Sequence, residues 1–83
     1  MIEVLYFAGL REALGCSREI VGLPDGIRTV GTLRDYLAAR GEPWENLATA
    51  KNLRAAVNHA MAGPDAGIRS GDEVAFFPPV TGG

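Results

Sequence analysis

Ile2 to Phe7 is apolar at five of its six positions, with Glu3 the exception, and its β-branched and aromatic content predicts an inner strand covered on both faces. After Gly9, the residues Leu10, Ala13 and Leu14 recur at helical spacing until Gly15 stops them, which predicts a helix of one to two turns. Ser17 to Leu23 reads as a second strand around Ile20 and Val21, closed by the turn Pro24-Asp25-Gly26. From Thr29 the period lengthens. Val30, Leu33 and Leu37 line one face, Tyr36 and Ala38 flank it, and Gly41 followed by Pro43 ends it. This is the main helix, capped by Thr29 or by Thr32, the latter with Asp35 placed for a capping box.

Pro43 to Asn52 has only loose helical spacing and reads as irregular or as a single turn, with Trp44 a cover for the core. Leu53, Ala55 and Val57 alternate with Arg54, Ala56 and Asn58, the period of a half-buried strand, and a short continuation from His59 to Ala62 precedes the turn Gly63-Pro64-Asp65. A second turn, Ser70-Gly71-Asp72, leads into Glu73 to Phe77, a final strand apolar on both faces. The first and last strands are the most apolar and belong side by side at the centre of the sheet. The second strand and the Leu53 strand then flank them, and the long helix covers one face. The expected fold is α+β, a β-grasp: a mixed sheet wrapped over one main helix, formed by residues 1–77, with 78–83 as an extended tail.

A chain of 83 residues holds one domain, and folding at this size buries only about 60–65% of the unfolded surface. Eight Lys and Arg against ten Asp and Glu give a formal charge of −2. The signs are scattered, so nucleic acid is not an expected partner. No apolar run is long enough to cross a bilayer, and the N-terminal stretch lacks a basic leader. The expectation is a cytoplasmic protein. Cys16 is the only cysteine, which rules out an internal disulfide or a cysteine-based zinc site built from this chain alone.

A general acid–base or nucleophilic site needs at least two suitable side chains that converge, and the supply here is thin. His59 is the only histidine and sits at an expected strand end, where a solvated role suits it. Asp72 and Glu73 are neighbours that would point to opposite faces of a strand. No phosphate-binding glycine loop and no His/Cys cluster is present. What remains is the ending, Phe76-Phe77-Pro78-Pro79-Val80-Thr81-Gly82-Gly83. Pro78 and Pro79 cannot donate to a sheet ladder and favour an extended path, so the strand must end and the tail must project. Six residues from Pro78 reach on the order of 20 Å when extended. Gly82 and Gly83 carry no Cβ, so a narrow tunnel can close around their backbone. A Gly-Gly ending arises by chance in about 1 of 200 proteins; it gains meaning from the stiff, projecting segment in front of it.

The run Gly71-Asp72-Glu73-Val74-Ala75-Phe76-Phe77-Pro78-Pro79-Val80-Thr81-Gly82-Gly83 is similar, almost residue for residue, to the ending of the small sulfur-carrier subunits of molybdopterin synthase, a ubiquitin-like family. Val4-Leu5-Tyr6-Phe7-Ala8, Leu10-Arg11-Glu12 and Ala56-Val57-Asn58 resemble the family more weakly; residues 37–52 carry no family signature. The resemblance implies that the Gly83 carboxylate is the working group. An activating enzyme like that of ubiquitin, which consumes ATP, would convert it to an adenylate. A sulfur donor, either a cysteine desulfurase or a rhodanese, would then make a thiocarboxylate. The tail, Pro78, Pro79, Val80, Thr81 and Gly82, would enter the large catalytic subunit of molybdopterin synthase, within a heterotetramer, and deliver sulfur to the pterin precursor. The resemblance further implies no bound cofactor or metal, no catalysis by this chain alone, and acid–base groups supplied by the large subunit.

The expected docking face gathers Phe7, Leu10, Phe76 and Phe77 with Pro79 near the base of the tail. Carriers for thiazole synthesis and for tRNA thiolation also end in Gly-Gly, and Phe77-Pro78-Pro79-Val80 argues against them. A β-grasp interaction module whose terminus is never activated is the alternative of a different class.

Overall fold

The computed structural model describes residues 1–50 and 52–79. The elements are β1 (Ile2–Tyr6), α1 (Ala8–Leu14), β2 (Arg18–Val21), α2 (Val30–Ala38), α3 (Asn46–Thr49), β3 (Arg54–Val57), β4 (Ala60–Ala62) and β5 (Glu73–Phe77). The strands form one sheet in the order β2-β1-β5-β3-β4. β1 and β5 run parallel, with Val4 beside Val74 and Tyr6 beside Phe76, while β2 pairs antiparallel with β1 and β3 antiparallel with both β5 and β4. The two most apolar strands are thus central, as their composition requires, and the architecture is the expected β-grasp.

Register and burial agree. Ile2, Val4 and Tyr6 of β1, Val21 of β2, Val74 and Phe76 of β5 and Ala55 of β3 all point into one core. The three helices add their buried residues to that same core: Leu10 and Leu14 from α1, Val30, Leu33 and Leu37 from α2, and Leu47 from α3. All helices therefore serve one face of the sheet. β1 is not covered on both faces as its apolar content implied: Leu5 is half-buried on the opposite side, where Ile20 and Met61 are 58% and 64% exposed, although Ala75 of β5 is only 9% exposed there. A chain this short lacks the residues for a third layer.

α2 starts as its sequence dictates but with a different partner. The Thr29 hydroxyl accepts from the Thr32 amide at 3.1 Å, and the Thr32 hydroxyl accepts from the Thr29 amide at 3.0 Å. The reciprocal box is closed by Thr32 rather than by Asp35, because residue N3 counted from Thr29 is Thr32. The next amides, of Val30 and Gly31, donate to the carbonyls of Ala66 and Pro64. A Cβ on Gly31 would lie 3.1 Å from the Pro64 oxygen, so the loop packs this closely only because the residue is glycine.

The segment between α2 and β3 folds as the single turn α3, and Arg34 secures it. Its guanidinium donates to the carbonyls of Leu47 and Ala50, groups that a helix of four residues leaves without internal partners. At the other end of α2, Tyr6 donates its hydroxyl to Glu19 at 2.8 Å and Arg40 donates to the same carboxylate oxygen at 2.9 Å. Arg40 lies 4.5 Å over the Trp44 ring, and Tyr6 meets Trp44 edge-on and stacks beside Phe76. Trp44 is a core cover, held by a cation–π contact.

Burial, followed by the hydrogen bond to Glu19, pushes the Tyr6 phenol above its ordinary value. Because the folded state disfavours the phenolate, this contribution to stability is complete below the unfolded tyrosine pKa of about 10 and is lost as pH rises past it. Melting temperature followed from pH 8 upward is expected to fall more steeply for the wild type than for Tyr6→Phe beyond about pH 10. Parallel curves would show that Tyr6 does not titrate against folding.

Candidate functional site

The site is built where β5 ends. As a central strand, β5 is fixed from both sides: its register against β1 sets Tyr6 by Phe76, and its register against β3 sets Arg54 by Phe77. The Phe7 amide donates to the Phe76 carbonyl at 3.2 Å, and Phe77 is still paired with Arg54 before Pro78 and Pro79 leave the sheet. Both prolines are half-buried. The chain therefore departs from the middle of the sheet, held firmly up to the residue before the prolines. Val80, Thr81, Gly82 and Gly83 lie outside the described residues.

Strand parity sorts the expected docking residues. Phe76 is 1% exposed and Leu10 is 6% exposed; both belong to the core, so Phe76 presents nothing to a partner and Leu10 shows only an edge, in the concavity beside Pro78. Phe76 shares the inward face with Val74, and Leu10 lies one turn from Leu14 on the inward side of α1. Phe7 is 45% exposed, and Phe77 is half-buried on the outer face of the sheet. Of the expected docking group, Phe7, Phe77 and Pro79 keep accessible surface.

The same register adds residues that the sequence did not single out. On the outer face Leu5 lies beside Ala75, Ala75 beside Ala56, and Ala56 beside Met61. With Phe77 they make an apolar band that runs from the base of the tail across the sheet. Polar pairs border it: the ion pair of Arg18 and Glu3 at 2.6 Å on one flank, and His59 with Glu73 at 3.3 Å on another. These exposed pairs add little to stability; they mark where the band ends. The alternation of Leu5 with Val4 and Tyr6 was the available signal for this face, but an apolar run gives no inward or outward parity until a partner strand fixes it.

No group of three or more His, Cys, Asp or Glu side chains placed to hold a metal occurs among the described residues. Cys16 is half-buried and its thiol lies 3.4 Å from the Arg18 carbonyl. Asp72, which accepts from the Asn58 amide and from the Arg69 backbone N–H, is held below the usual carboxylate range by those bonds. It fastens the start of β5 to the β3–β4 turn, well away from the tail. No helix is long and apolar enough to cross a membrane among the described residues.

A five-stranded mixed sheet over one main helix, with a proline-led tail leaving its central strand, defines the class: a ubiquitin-like carrier fold. The chain belongs to the ThiS family, which it matches over residues 4–83. It is 43% identical to the molybdopterin synthase sulfur carrier subunit of Escherichia coli and 37% identical to that of Haemophilus influenzae, in each case over the full length of both chains. Among solved structures it resembles SAMP1 from Haloferax volcanii, with a TM-score of 0.78, 30% identity, and coverage of 99% of this chain and 98% of that one.

The partition of aromatic residues has a direct test in urea unfolding. Phe76→Ala is expected to cost about 3–5 kcal/mol through the cavity it leaves. Phe7→Ser, at an exposed site, is expected to change stability by less than about 1 kcal/mol. Equal losses at both positions would contradict the assignment of Phe7 to the surface.

Proposed function

We propose that this protein carries sulfur on its C-terminal glycine for molybdopterin synthesis. The observation that carries the reading is the end-to-end alignment with relatives named as molybdopterin synthase sulfur carrier subunits, which takes in Gly82 and Gly83. The fold supplies the physical reason. Pro78 and Pro79 continue from a central strand of a rigid body, so docking the body fixes where the tail begins.

The chemistry is dictated by what a carboxylate lacks. Free, it is a poor electrophile. An adenylating enzyme lets the Gly83 carboxylate attack the α-phosphate of ATP, and pyrophosphate leaves. The terminal sulfur of a donor persulfide then attacks the acyl carbon and AMP leaves with the bonding pair; a second thiol cleaves the S–S bond of the acyl disulfide, so that a thiocarboxylate remains on Gly83 and the two thiols end as a disulfide. In the large subunit of molybdopterin synthase that sulfur attacks the pterin precursor. Pro78 and Pro79 hold the tail extended, and Gly82 and Gly83 pass a narrow channel. Phe7, Phe77 and Pro79, with Leu5, Ala56 and Met61 of the outer face, form the docking face. The chain holds no cofactor of its own, ATP being consumed by the activating enzyme, and acts in the cytoplasm as a subunit rather than as an enzyme by itself.

Deleting Gly82 and Gly83 is expected to leave the melting temperature within about 2 °C of the wild type, since the core ends at Phe76, and to abolish sulfur transfer to the pterin precursor in the reconstituted synthase. Retained transfer would overturn the reading and favour an interaction module whose terminus plays no chemical part.

A further inference from the structure

On the side of the tail's base opposite the apolar band, α1, the α3 turn and the tail enclose a concavity of about 190 Å³. Leu10 and Leu53 line it with Ala13 and Ala50, Pro78 contributes from the tail itself, and Asn46 is the one polar side chain at its wall. Gly9, one turn before Ala13, leaves its opening wide, since nothing lies within 4 Å of where its Cβ would be. Gly9 and Ala13 are exposed, Ala50 and Leu53 half-buried. Small-molecule pockets usually run from about 300 Å³ upward. This one has the size and the lining for one aliphatic or thioether side chain.

We propose that this concavity is a socket for one apolar side chain from the rim of the large subunit of molybdopterin synthase. The inference rests on the function proposed above and adds a second anchor to it. The length of the tail argues for the occupant. Four residues lie beyond Pro79, and fully extended they reach on the order of 14 Å. A partner that works on Gly83 inside a recessed site must therefore bring its rim down onto the surface around Pro78 and Pro79. That surface has two sides, the aromatic corner of Phe7 and Phe77 and this socket.

Interface size points the same way. A stable subunit contact buries about 800 Å² on each partner, more than a six-residue tail offers, so the ground beside its root must be part of the contact. An apolar side chain seated in a desolvated pocket near the centre of an interface is the usual form of an energetic hot spot. The tail and the socket together fix orientation as well as depth, because Pro78 belongs to both.

Ala13→Phe fills the socket from the exposed side of α1, and Ala50→Glu makes its wall charged. Each variant is to be titrated, as the carboxylate form, against the isolated large subunit by calorimetry, with melting temperature measured in parallel. Affinity is expected to fall at least about tenfold while the melting temperature of at least one variant stays at the wild-type value. Addition of the large subunit to the wild type is expected to shift the methyl resonances of Leu10 and Leu53. If the wild type binds and both folded variants bind equally well, the socket is overturned and the functional reading stands. If the wild type itself does not bind, it is the functional reading that fails. Self-association of the wild type that Ala13→Phe abolishes would assign the socket to a second copy. Methyl shifts on removing residues 80–83 would assign it to the chain's own tail. Either result overturns the proposal.

Discussion

The parallel pairing of β1 with β5 is the contact on which the rest of the molecule depends. It joins the two ends of the chain, placing Val4 against Val74 and Tyr6 against Phe76 at the centre of the sheet. No turn connects these strands, so the pairing is held by apolar burial and by the ladder itself, and it closes only when the intervening helices complete the core. Once closed, it leaves the chain beyond β5 a single route. Residue 76 is locked inward by Tyr6, residue 77 faces outward, and the prolines must depart from the middle of a rigid sheet.

That arrangement gives one small domain two surfaces of different use. The face beneath the helices is devoted to stability, with Leu33, Leu37 and Leu47 fully buried and the Tyr6–Glu19–Arg40–Trp44 cluster sealing its edge. The opposite face and the ring around Pro78 are left apolar and open, which in a domain this small lowers solubility unless a partner covers them. Flanking polar pairs limit the band to a defined area. Under the proposed function such a division is useful, because a surface separate from the core can be buried against a partner and released without disturbing the fold.

Much of this was legible in the residues. The apolar runs Ile2–Phe7 and Glu73–Phe77 announced central strands, and the spacing of Val30, Leu33 and Leu37 announced the main helix, because each pattern is long enough to overrule local ambiguity. The end of β5 was legible because Pro78 and Pro79 cannot join a ladder. Side-chain direction within the apolar strands was not. Phe76 and Phe77 are chemically identical neighbours, and only the register with β1 sends one inward and the other out. Leu10 was drawn toward the surface by its nearness in sequence to Phe7, whereas its helical partner Leu14 carries it into the core. The turn α3 was legible only as one of two readings, irregular or a single turn, because four residues give no period and its order comes from Arg34, a residue on a different helix.

If the Gly83 carboxylate is the site of chemistry, the intact mass of the protein after incubation with ATP, its activating enzyme and a sulfur donor tests it most directly. The predicted result is a gain of roughly 16 Da, one oxygen replaced by sulfur, mapping to Gly83. An unchanged mass in the presence of a demonstrably active enzyme and donor would contradict it.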